Sequence, residues 1–123
     1  MPLETPIIPR NLPKKERKHF RNAVIAFDSG QALAAKFLLR IFLEQYVRGV
    51  ATNPEVRSIE SLFDEYNATL PDDFKQRFPS LKSIYDQLSE DIHAADETPE
   101  IFETAKQKIV EHFDAKRVFK ISN

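Results

Sequence analysis

A chain of 123 residues holds one domain and one hydrophobic core. It has no cysteine, which excludes disulfides, thiol nucleophiles and Cys-based zinc sites, and its net charge of −1 gives no overall pull toward nucleic acid. Two glycines against ten phenylalanines disfavour a protein of hairpins and favour long helices.

Residues 1–12 carry Pro2, Pro6 and Pro9, which block helix and predict an extended arm. The first nine residues lack the basic-then-apolar layout of a signal peptide, and a cytoplasmic protein is expected. Pro13 suits a first helical position. Phe20, Ala23, Val24 and Phe27 then fall at i, i+3, i+4 and i+7, one face of a helix that Ser29-Gly30 closes. A second helix is expected from about Gln31 to Arg48. Its apolar residues run nearly all round, from Leu33 through Phe37, Leu38, Ile41 and Phe42 to Val47, so neighbours should enclose it. Burying one large apolar side chain contributes roughly 1.5–3 kcal/mol. An aspartate at Phe37 or Ile41 is therefore expected to do far more harm than one at Lys36.

Asn53-Pro54 or Arg57-Ser58 opens a third helix with the stripe Ile59, Leu62, Phe63 and Tyr66, ended by Leu70-Pro71. Asp72 to Phe78 suits a short helical turn. Ser80 is a cap for a fourth helix lined by Leu81, Ile84, Tyr85, Leu88 and Ile92. Thr98-Pro99-Glu100 starts a fifth, with Phe102, Ala105, Ile109 and Phe113 on its inner face. The tail alternates Val118, Phe119 and Ile121 and reads as a short strand or an extended cover. The expected architecture is all-α: an antiparallel bundle of about five helices around a central apolar helix, with an arm over 1–12, the bundle over 13–115 and a tail over 116–123.

Three groups of residues carry candidate chemistry. Arg40 and Glu44 lie four apart on the central helix, close enough to pair. They are either an ion pair at the edge of a buried helix or a polar spot in a groove shared with another helix or subunit. His93 stands at the negative end of the fourth helix, where it tends to hold a proton, with Glu90, Asp91 and Asp96 near in sequence. His19 and His112 lie on charged faces and read as surface residues. The basic entry to the first helix, Arg10 with Lys14, Lys15, Arg17, Lys18 and Arg21, is either a solvated face or a contact for RNA or DNA phosphates. Asp86, Glu90, Asp91, Asp96, Glu97, Glu100 and Glu103 form an acidic stretch around the turn between the fourth and fifth helices. No HExxH, GxSxG or glycine-rich phosphate loop occurs, so no metal or other cofactor is expected.

The segment SGQALAAKFLLRIFLEQYVRGV, with Leu39-Arg40-Ile41-Phe42-Leu43-Glu44 at its centre, resembles the second helix of the DUF4145 group of the HEPN superfamily. SIYDQLSEDIHAAD resembles the histidine-bearing helix of that group, and the likeness covers most of residues 13–115. The resemblance implies a helical bundle and a homodimer built through central helices. HEPN nucleases cut RNA without metal, using an arginine with four to six residues between it and a histidine. His93 matches that histidine, but Asp86, Gln87 and Leu88 stand where the arginine belongs. An acid there repels the phosphate. The resemblance thus implies a non-catalytic HEPN-like interaction domain, dimeric, with a protein partner or a nucleic acid. It would serve as an accessory to a nucleic-acid-processing or defence system. The alternative is a divergent metal-independent RNase using His93 with Arg40 and Glu44. A plain structural bundle is the third reading.

Overall fold

The structure is a computed structural model, and it describes residues 7–121. Part of the arm, residues 1–6, and the end of the tail, residues 122–123, lie outside the described residues. Among the described residues six α-helices follow in order: α1 Arg17–Asp28, α2 Ala32–Val50, α3 Ile59–Ala68, the short α4 Asp72–Arg77, α5 Leu81–His93 and α6 Pro99–Val118. No strand occurs among the described residues. The all-α bundle expected from periodicity is what forms.

The helix starts follow local chemistry. Ser58 and Ser80 each accept a hydrogen bond from the backbone N–H three residues on, at 3.2 and 3.0 Å, and so cap α3 and α5. Asn53-Pro54 instead begins a single 3-10 turn over Pro54–Val56. Three helices end alike. Gly30, Ala95 and Lys120 all take left-handed backbone, at φ 82°, 54° and 59°. The N–H of the residue after each reaches back five positions, Gln31 to Ala26, Asp96 to Asp91 and Ile121 to Lys116. This is the Schellman closure, and glycine is the residue it costs least.

α2 is the centre. It packs against α1, α3, α5 and α6, and buries Ala35, Leu39, Phe42, Leu43, Tyr46 and Val47. Phe42 stands edge-on to Phe20 of α1 and Phe113 of α6. Leu12 at the end of the arm is also in the core. Gly49 lets the Glu16 carboxylate lie against α2, where an added Cβ would sit 3.3 Å from Oε1.

Three expectations are corrected. Lys36 is completely buried, whereas Phe37 is 43% exposed and Ile41 is half-buried. The stripe that faces the bundle runs Lys36, Leu39, Leu43, Tyr46 and Val47, so Phe37 points off its edge. His112 is not a surface residue but fully buried. It follows Phe102, Ala105 and Ile109 at helical spacing and continues their stripe. The tail is neither strand nor extended at its start, because α6 continues through Val118. Val118 points outward, while Phe119 and Ile121 pack on the core after the turn.

Candidate functional site

Arg40 and Glu44 do not pair with each other. Glu44 faces Arg48 instead, at 4.0 Å. Glutamate four residues before arginine is the favoured order on a helix, since it agrees with the helix dipole. The Arg40 guanidinium lies over the rings of Phe37 and Tyr85, 5.2 and 5.9 Å from their centroids. Its Nε is buried with no hydrogen-bond partner. Arg40 and the exposed His93 line one shallow pocket of about 470 Å³, together with Ser89, Glu90, Ile92 and Ala94. The structure thus brings two of the three candidates together and leaves Glu44 out of the lining. Glu44 stays near Tyr85, whose hydroxyl is held above its usual pKa by burial first and by the Glu44 charge next.

The basic entry divides. Lys14 and Lys15 line a pocket of about 640 Å³, with Arg10 from the arm and Arg117 and Lys120 from the end of α6. Arg17 turns to its own chain, donating from Nε to the Leu12 carbonyl and from Nη2 to the Arg10 carbonyl. Lys18 and Arg21 are exposed on α1 and do not line the pocket. Glu16 is the one acid in the lining. Burial raises its pKa, and the nearby Lys15 charge opposes that. Arg117 donates to Asn11 Oδ1 at 3.2 Å, which ties the end of α6 to the arm.

A third group was not legible as a site. Tyr46 of α2, Tyr66 of α3, and His112 and Lys116 of α6 form one buried polar cluster. Lys116 Nζ donates to the Tyr46 hydroxyl at 2.9 Å and lies 4.8 Å from the centre of the Tyr66 ring. The Tyr66 hydroxyl meets His112 Nε2 at 2.6 Å. Burial first, then the Lys116 charge, pushes the His112 imidazole down to about 3. In the neutral tautomer with its proton on Nδ1, the ring accepts at Nε2 the hydrogen bond that the Tyr66 hydroxyl donates. Burial likewise lowers Lys116 to about 8 and lifts Tyr46 to about 12. The sequence signal for this cluster was the continuation of the α6 stripe: His112 and Lys116 fall at the next inward positions after Ile109.

Among the described residues, no group of three or more His, Asp or Glu side chains is placed to hold a metal ion. No helix there is long and apolar enough to cross a membrane. In comparisons with known proteins, no protein-family model, no curated protein and no solved structure matches this chain.

Proposed function

We propose that this chain is a non-catalytic, HEPN-like helical interaction domain of the cytoplasm that contacts the phosphates of RNA or DNA. It works as a homodimer, as an accessory to a nucleic-acid-processing or defence system, and so alongside a protein partner. One observation carries the nucleic-acid reading. Cations far apart in sequence, Arg10, Lys14 and Lys15 on one side and Arg117 and Lys120 on the other, line a single pocket with one acid. Convergent positive charge at a concave surface suits a phosphate backbone, although the chain as a whole is slightly acidic. The dimer and the accessory role rest on the resemblance of α2 and α5 to DUF4145 helices.

The test is a salt titration of single-stranded RNA binding. Binding should weaken steeply with salt, and reversing Lys14 and Lys15 together should lower the log–log slope by about 1.4, at about 0.7 per lost contact. Reversing Arg117 and Lys120 should do the same, while Lys18→Glu should do much less. Equal loss from all three would remove the pocket from the account. Light scattering of the full chain tests the dimer, and a monomer at micromolar concentration counts against it.

The second reading, a metal-independent RNase, is favoured by the shared pocket of Arg40 and His93. It predicts RNA cleavage in chelator that His93→Ala and Arg40→Ala both abolish. Cleavage that persists unchanged in both variants would exclude it.

A further inference from the structure

The cluster around Lys116 serves none of the roles above. Lys116 is 2% exposed, and no carboxylate lies within ion-pair distance of its Nζ among the described residues. Its surroundings are the Tyr46, Tyr66 and Phe113 rings and the Tyr46 hydroxyl. An ammonium desolvated without a counter-ion is unfavourable, and loss of its proton relieves the penalty. The residue nevertheless borders a pocket of about 320 Å³, with Tyr46, Tyr66, Thr69, Val50 and Ile121, and also Glu65. Glu65 is engaged by Arg57 and by the Thr52 N–H, which hold its carboxylate below the usual range. The remaining lining residues carry no formal charge, which suits an uncharged ligand of a few carbons.

We propose that Lys116 is a nucleophilic amine that captures short, uncharged aldehydes as imines in this pocket. The step is balanced within the protein and its ligand. The Nζ lone pair attacks the carbonyl carbon, and the carbonyl π pair moves onto oxygen. That oxygen takes up one proton from nitrogen to give a carbinolamine. Loss of hydroxide with the second nitrogen proton, together one water, leaves the carbon–nitrogen double bond. Tyr46 supports the transfer. Its phenol stays protonated at neutral pH, raised to about 12 mainly by burial, and stands 2.9 Å from Nζ. It can hand its proton to the departing oxygen and recover one from nitrogen. Near pH 8 about half of Lys116 is neutral, against well under 1% of an ordinary exposed lysine, a ratio of about a hundred. Lys36, the other buried lysine, instead has the Asp96 carboxylate at 3.9 Å and donates to the Asp96 carbonyl.

The test uses the full-length protein, propanal as the probe and cyanoborohydride to trap the imine at pH 8. Peptide mapping distinguishes Lys116 from the exposed lysines and from the chain's α-amino group. Lys116 should be alkylated at least about tenfold faster than Lys14 or Lys108. Tyr46→Phe should slow Lys116 alone, and Lys116→Met should remove the fast site. Should Lys116→Met misfold, Lys116→Arg keeps the length and charge but forms no imine. The rate at Lys116 in the native protein decides in any case. Alkylation of Lys116 no faster than that of exposed lysines, or none at all, would overturn the proposal. It would leave the phosphate reading untouched, since the two use different pockets.

Discussion

Lys36 and Lys116 are both buried lysines on long helices, and the molecule satisfies them differently. Lys36, on α2, donates to the Asp96 backbone carbonyl at 2.6 Å and has the Asp96 carboxylate at 3.9 Å. Asp96 is itself fixed, accepting from the Thr98 N–H at 2.8 Å. The Thr98 contacts, with a smaller pull from Lys36, hold its carboxyl below the usual range. The Lys36 contact staples the middle of the bundle to the α5–α6 turn. Among the described residues, Lys116 has only a phenol and ring faces. Cation–π contact offsets part of its desolvation, but not as a carboxylate would. Burial therefore makes a structural cross-link of one lysine and a reactive amine of the other. The difference lies in whether an acid from another segment arrives.

That contrast can be broken hardest at Lys36. Lys36→Asp would place a carboxylate at full burial beside Asp96, with no cation. It should cost about 3–5 kcal/mol or unfold the chain, while Phe37→Asp should stay within about 1 kcal/mol. Urea denaturation of the two variants gives the answer, and the order is opposite to the one expected from hydropathy alone.

The pH profile tests the other cluster. Unfolded histidine binds its proton near 6.5, but folded His112 resists until about 3. Its contribution is fully present above about pH 6.5 and is lost progressively as pH falls toward 3, since the unfolded chain then binds the extra proton. Lys116 acts at the other end. Between about 8 and 10.5 the unfolded chain keeps a proton that the folded one releases, so stability should rise with pH there. Tyr46, protonated to about 12 when folded and to about 10 when not, should turn the curve down above pH 10. Denaturation midpoints from pH 4 to 11 check both limbs. A flat profile between pH 8 and 10 would mean that Lys116 keeps its ordinary affinity for a proton.

Methionine at each lysine sharpens the comparison. Lys36→Met loses charge-assisted hydrogen bonds and should destabilise by about 1–3 kcal/mol. Lys116→Met removes a cation with no counter-ion among the described residues and should be neutral or stabilising by about 1 kcal/mol. It should also let the His112 pKa rise, which NMR titration of the ring would show. The smallest effect concerns the helix end that carries Asp96. Ala95 holds left-handed backbone that Gly30 holds without penalty. Ala95→Gly should therefore stabilise by about 0.5–1 kcal/mol, seen as a small rise in melting temperature.

How far the sequence could be read follows from these residues. The caps at Ser58 and Ser80, the stop at Gly30 and the apolar stripes were legible because each is a local device within one turn of helix. The stops at Ala95 and Lys120 were not, since neither residue advertises left-handed backbone. The pair Arg40–Glu44 was read from spacing, but spacing allows Glu44 an equal reach to Arg48, and the dipole favours that partner. His112 and Lys116 could have been found by extending the α6 stripe past Ile109, and their polarity concealed them.

Sequence by itself determined the helices, their inward faces and α2 as the centre, because hydrophobic periodicity and capping act over a few residues. Only the tertiary structure decided that Asp96 reaches Lys36, that Arg117 and Lys120 join Lys14 and Lys15, that Arg40 meets His93, and that no acid among the described residues pairs with Lys116. These are encounters between residues 53 to 106 positions apart. Each depends on how whole helices pack, and the charge state of a buried group is set by what arrives beside it rather than by its neighbours along the chain.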